Sequence, residues 1–188
     1  DDLPVVMTAH TTVRGCDFAG HENGSEYSVG GIDSYDLDEM GVGYDYLALG
    51  HIHHGQFIHS GRHNVRYCGT PIPVSFDENY KHSVSIVEIA EHGDRPAVEE
   101  IEIKPHRPLV TLPTEGVATW EDAKNLLKIY PNDIEAYIRL NVEVEDFLPV
   151  EANAEALVIC KDKKCRFCVI NTQRPIKDRR EAKEMSVQ

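Results

Sequence analysis

The sequence predicts an α+β fold in two parts, and three observations carry that prediction. Apolar runs of strand length dominate the first hundred residues. A helix with a legible cap and a strictly alternating strand follow after residue 115. Between them lies Lys104-Pro105-His106-Arg107-Pro108, a shift in composition that reads as a boundary.

The chain begins Asp1-Asp2-Leu3-Pro4, and Leu3–Ala9 already reads as a buried strand ending at His10. A strand so near the first residue suggests a piece of a longer protein, with a processed or tagged chain as the competing reading. Residues 11–31 are rich in Gly, Thr, Ser and charge and read as a long loop, and residues 33–40 as a short helix. Tyr44–Leu49 is a second buried strand, closed by Gly50. Short strands are expected at Gln56–His59 and Asn64–Cys68, and Gly69-Thr70-Pro71-Ile72-Pro73 is a rigid turn because its prolines fix φ and remove donors. Ser83–Ile89 and Ala97–Ile103 flank a turn-rich hexapeptide and predict a β-hairpin with an irregular loop.

Beyond the boundary, Leu109–Leu112 reads as a strand. Thr119 caps a helix, with Asp122 as a capping-box partner and Pro131 as its stop. Ala123, Leu126, Leu127 and Tyr130 fall on one helical face. Ile134, Ala136, Ile138, Leu140, Val142 and Val144 alternate with more polar residues, as a half-buried strand requires. A second helix runs from Pro149 to about Cys160, and Phe167–Ile170 is a last strand. Residues 172–188 carry no apolar period and read as a linker or tail. The second part is thus a small α+β module of about 65 residues, too small to be very stable alone.

The 188 residues are 41% hydrophobic and 27% charged, which allows a packed core and excludes global disorder. No apolar run approaches the ~20 residues of a membrane span, and no signal peptide precedes the first strand, so a cytoplasmic protein with no membrane association is expected. Five cysteines, an odd number, argue against a secreted disulfide framework. Cys165 and Cys168 form a CxxC, but no second pair and no neighbouring His accompany it. Two cysteines on opposite faces of a strand is the favoured reading over zinc or redox chemistry.

The net charge is −13, awkward for a protein that meets nucleic acid. Its distribution is uneven: residues 161–184 carry a net +5, and residues 1–160 a net −18. The basic end suits phosphates or an acidic partner, but from charge alone a solvated surface with a basic linker is the favoured reading.

Among ten histidines, position singles out three. His51 and His53 follow a buried strand and a glycine, and residues two apart on an extended segment project to one side. Gly50 lets the backbone approach an ion without a Cβ in the way. His10 also ends a strand, and ligands gather at the C-terminal ends of strands in α/β sheets. If the two strands are neighbours, His10, His51 and His53 converge on one metal or two; three imidazoles alone would make a mononuclear zinc site. Histidines hydrogen-bonded in loops are the competing reading.

The stretch Tyr44–Gln56, YDYLALGHIHHGQ, resembles the Gly-His-x-His motif of the calcineurin-like metallophosphoesterases. Val5–Gly15, VVMTAHTTVRG, is similar to their single-His motif at a strand end. Arg66–Glu78, RYCGTPIPVSFDE, narrows the resemblance to SbcD-type nuclease subunits, and Arg107–Leu112 looks like the start of their capping domain. The resemblance implies the C-terminal part of a metallophosphoesterase β-sandwich with flanking helices over residues 1–104. A small α/β capping domain at 105–171 and a tail at 172–188 toward an ATPase-binding segment complete it.

It further implies a metal-dependent exonuclease and endonuclease of a DNA repair and recombination complex. Two Mn²⁺ ions (Mg²⁺ or another divalent metal in their place) would be held with His10 and His51 on one ion and His53 on its neighbour. DNA, an SbcC-type ATPase subunit and a second copy of the protein are the implied partners. Arg166, Arg174, Lys177, Arg179 and Arg180 are candidates for DNA or partner contact. The family's Asp-x-His, Gly-Asp and Gly-Asn-His-Asp motifs, which include its catalytic His, are absent from these residues. The expectation is therefore that this piece alone binds Mn²⁺ weakly or not at all and is inactive. Another metallophosphoesterase, a nucleotidase or phosphatase, and a non-catalytic DNA- or partner-binding module are the alternatives.

Overall fold

The computed structural model describes residues 2–17, 34–58 and 62–175. The chain divides into two compact units, Asp1–Pro105 and His106–Gln188. Together they make a mixed α+β structure with few helices and several sheets.

The first unit holds β1 (Val6–His10), β2 (Thr12–Val13), β3 (Ser34–Tyr35), β4 (Tyr46–Gly50), β5 (Gln56–Phe57), β6 (Val65–Tyr67), β7 (Ser83–Glu88) and β8 (Ala97–Glu102). Its main sheet has the order β1-β4-β6-β5, parallel except at the last pair. β4 has a neighbour on each side, and its apolar run is buried: Leu47 and Leu49 are fully buried, as are Val65 and Tyr67 beside them. β1 differs from the buried strand expected at Leu3–Ala9. It starts at Val6, lies at the edge of its sheet, and leaves Leu3, Val5 and Val6 exposed.

The short helix expected at residues 33–40 is a single 3-10 turn, Leu37–Met40, with Asp36 and Glu39 as its capping box. β7 and β8 form the expected antiparallel hairpin. Arg66 ties the hairpin to the sheet: its buried guanidinium stacks over Phe57, and donates from Nε to Ser85 Oγ and from Nη2 to Glu100 Oε2.

Asp45, just before β4, holds three segments together. Its Oδ2 accepts from the backbone N–H of Val5 at 2.6 Å and lies 2.9 Å from His92 Nδ1. Its Oδ1 accepts from Gly93 N at 2.7 Å in the hairpin loop. The Val5 amide first, then His92 and Gly93, favour the charged carboxylate and pull its pKa from the usual 3.8 to about 2.

The second unit contains β9 (Leu109–Leu112), α1 (Trp120–Ile129), β10 (Tyr137–Glu143), α2 (Ala152–Cys160) and β11 (Arg166–Gln173). Its three strands are all parallel, in the order β11-β10-β9, so each helix is a crossover of a β-α-β unit. Ile138, Leu140 and Val142 are fully buried on one face of β10 against Ala123 and Leu127 of α1 and Ala156 of α2. Thr119 caps α1 by accepting from Asp122 N at 3.2 Å. The expected capping box is not reciprocal, because Thr119 Oγ1 itself donates to the Asp122 carboxylate at 2.7 Å.

Cys165 is buried just before β11, and Cys168 is exposed within it, so only one of the two cysteines lies on the strand. The pairing of β10 with β11 slips at Ile138/Arg139, and Cys168 is the extra residue of that bulge. The neighbour of Cys165 is instead Cys160, with the two Sγ atoms 3.9 Å apart. Burial first, then the second thiol, pushes Cys160 up to about 12, which makes it an inert packing group.

The lowered Asp45 pKa sets a pH dependence. A carboxylate whose pKa falls on folding contributes stability that is complete above about pH 4 and is lost as pH falls through about 2. Thermal melts of the wild type and Asp45→Asn should therefore differ most near neutral pH and converge as pH drops from about 4 toward 2.

Candidate metal centre

β1 and β4 are neighbours, as the convergence of the histidines requires, and their parallel register sets His10 opposite Gly50. The imidazoles of His10 and His51 lie edge to face, with ring centroids 5.4 Å apart. Gly50 has a different reason from the one its sequence suggests. A Cβ there would stand 3.0 Å from His10 Nδ1, so the glycine makes room for the neighbouring imidazole. His51 takes φ +98°, a conformation a non-glycine residue rarely adopts, and it turns the chain out of β4 between buried Leu49 and Ile52.

The third histidine is aimed differently. His53 Nδ1 lies 2.8 Å from Oε1 of Glu78, whose side chain is fully buried. His54, next in sequence, stacks on Tyr80 at 4.5 Å, and its Nδ1 is 3.5 Å from the Asp17 carboxylate. The structure thus brings His10 and His51 together and directs the ring of His53 to a carboxylate. No group of three or more His, Cys, Asp or Glu gathers as for a metal ion among the described residues.

Sequence reasoning missed the residues that support these histidines. Tyr67 OH accepts from Val13 N at 2.8 Å and donates to the Thr11 carbonyl at 2.8 Å, which fixes the chain just after His10. Gly69, at φ +75°, lets two loops touch: a Cβ there would stand 2.6 Å from the His53 carbonyl oxygen. Thr70 N then donates to that same carbonyl at 2.9 Å. All of these belong to the Arg66–Glu78 stretch; the signal available was its closely spaced polar and glycine residues, but loop contacts have no period to read.

Of the basic candidates, Arg166 and Arg174 are exposed, and the Arg166 backbone N–H donates to Ala136 O. Lys177, Arg179 and Arg180 lie outside the described residues.

The donor chemistry suits a divalent transition metal in part. Two neighbouring imidazoles suit one ion, and a third imidazole with Nδ1 on a carboxylate has the arrangement common to metal-binding histidines. Bridging carboxylates are not gathered beside them among the described residues.

No family model matches the chain. Curated proteins do, and those matched are nuclease subunits, which defines the class to which the sequence is related. Within that class the chain is of the SbcD type. It is 34% identical over 110 residues to the SbcD component of the nuclease SbcCD of Escherichia coli strain K12, covering 58% of this chain and 26% of that protein. It is 31% identical over 158 residues to the SbcD component of Bacillus subtilis strain 168, covering 80% and 37%. With the SbcD component of Rhodobacter capsulatus it shares 34% over 118 residues, 62% of this chain and 27% of that one. The chain therefore spans between 26% and 37% of the length of these relatives.

The role of Gly50 is open to direct measurement. Gly50→Ala should push the His10 ring by a few tenths of an ångström while leaving β4 paired, because the close approach is to a side-chain atom and not to backbone. The ring resonances of His10 should shift, with little change in melting temperature; unchanged resonances would show that the glycine is not needed there.

Proposed function

We propose that this chain is a segment of the nuclease subunit of an SbcCD-type DNA repair complex, which as a whole protein hydrolyses DNA phosphodiester bonds. The observation that carries this reading is the pair of imidazoles, His10 and His51, set 5.4 Å apart at the ends of adjacent parallel strands. In this reading the first unit is the C-terminal part of a metallophosphoesterase β-sandwich. The second contains the capping domain, and the tail leads toward the segment that meets an SbcC-type ATPase. A homodimer in the cytoplasm is the working state. No helix among the described residues is long and apolar enough to cross a membrane.

His10 and His51 would hold one divalent ion, Mn²⁺ by preference, and His53 its neighbour. Such a pair, when bound, supplies a water of lowered pKa and positive charge against the developing phosphorane. The chain's own residues do the positioning. Tyr67 anchors the backbone after His10, Gly50 admits the His10 ring, and the turn at His51 brings the second ring beside it. Exposed Arg166 and Arg174 suit the phosphates of DNA or an acidic partner.

With Mn²⁺ and duplex DNA, this chain alone should give no detectable cleavage. The whole SbcD-type protein should cleave, and lose that cleavage on His10→Ala or His51→Ala. Robust turnover by this chain alone, or unaffected activity of the variants, would sink the reading.

Arg166→Ala and Arg174→Ala in the whole protein should each lower the slope of log affinity for DNA against log salt by about 1. An unchanged slope assigns them to a solvated surface.

A further inference from the structure

We infer that Glu78 is the positioning residue for His53: its buried carboxylate fixes both the orientation of the imidazole and the nitrogen that carries the proton. The inference deepens the metal-binding reading of His53 and rests on it only for its functional consequence.

The geometry is closed on every side. Glu78 Oε1 lies 2.8 Å from His53 Nδ1, and Oε2 accepts from Val74 N at 2.9 Å. His82 Nε2 stands 3.5 Å from the same Oε2. His82 is itself buried, its Nδ1 3.1 Å from both the hydroxyl and the carbonyl oxygen of Thr70. Thr70 N in turn donates to the His53 carbonyl at 2.9 Å. The ring of contacts thus runs from His53 through Glu78, His82 and Thr70 back to His53, across the loop that Gly69 allows to close.

A carboxylate only accepts hydrogen bonds. His53 Nδ1 must therefore carry the proton, and Nε2 is the nitrogen with a lone pair for a metal. A carboxylate behind a ligating imidazole also raises its basicity. Burying a carboxylate without partners is costly, so a fully buried Glu78 with donors at both oxygens is a built arrangement.

The isosteric variant Glu78→Gln separates positioning from packing. An amide offers one acceptor oxygen and one donor nitrogen. The Val74 N–H at 2.9 Å cannot turn away and is nearer than His82 Nε2 at 3.5 Å, so the amide oxygen faces Val74. The amide nitrogen then faces His53 Nδ1, which must become an acceptor, and the proton moves to Nε2. The variant should fold and yet block the ligating nitrogen.

Long-range ¹H–¹⁵N spectra of the ¹⁵N-labelled, metal-free chain, at a pH where His53 is neutral, read this directly. The wild type should show His53 protonated at Nδ1, and Glu78→Gln should show it protonated at Nε2. On adding MnCl₂, paramagnetic broadening of the His53 ring signals should need about 10- to 100-fold more metal in Glu78→Gln than in the wild type. An Nε2-protonated His53 in the wild type overturns the inference even if the variant does not fold. An unchanged tautomer in a folded Glu78→Gln also overturns it. Absence of broadening in the wild type at any Mn²⁺ concentration counts against His53 as a ligand, while the tautomer measurement still decides the role of Glu78.

Discussion

The register between β1 and β4 is the constraint on which the site depends. It sets His10 opposite Gly50, where a Cβ would press on the His10 imidazole at 3.0 Å from Nδ1. The next residue can then present a second ring beside the first, provided the chain leaves the strand at once. His51 does so at φ +98°. A slip of one residue would put Leu49 or His51 opposite His10 in place of the glycine, and would turn the side chains of β1 to the opposite face. The apolar side chains of β4, buried on the faces of the sheet, disfavour that slip.

The second layer of dependence is the stretch from Arg66 to Glu78. Arg66 joins sheet to hairpin, Tyr67 anchors the backbone after His10, Gly69 admits the His53 loop, and Glu78 engages the His53 ring. Four residues of one short segment thus act on three parts of the first unit. None of them needs to touch a substrate for the geometry to depend on it. A nuclease-like reading built on the histidines alone leaves out what holds them.

Much of the fold was legible because it leaves periodic marks. The alternation from Ile134 to Val144 located β10, although the paired strand begins only at Tyr137. Thr119 and Pro131 bracketed α1, and the apolar run before Gly50 located β4. An apolar run does not say whether both faces of a strand are covered, so the exposure of β1 was not legible. His10 and His51 were findable as strand-end histidines. The His53–Glu78 contact spans 25 residues between two loops, where no period exists to be read. The CxxC drew attention to Cys165 and Cys168, yet the thiol that meets Cys165 is Cys160, at the far end of a helix whose pitch does not continue across the turn between them.

The places where local rules are broken coincide with the site. His51 adopts a backbone conformation that favours glycine, and Glu78 is a carboxylate with no solvent exposure. Each costs stability unless its surroundings are already fixed, and each is compensated by specific partners within the same unit. Such features are poor choices for a sequence under pressure only to fold. A glycine at position 51 and a hydrophobic residue at position 78 would satisfy the backbone and the interior more simply. The strain and the buried charge are explained if the imidazoles of His10, His51 and His53 must be held in fixed directions, which is a demand of ligand chemistry and not of packing.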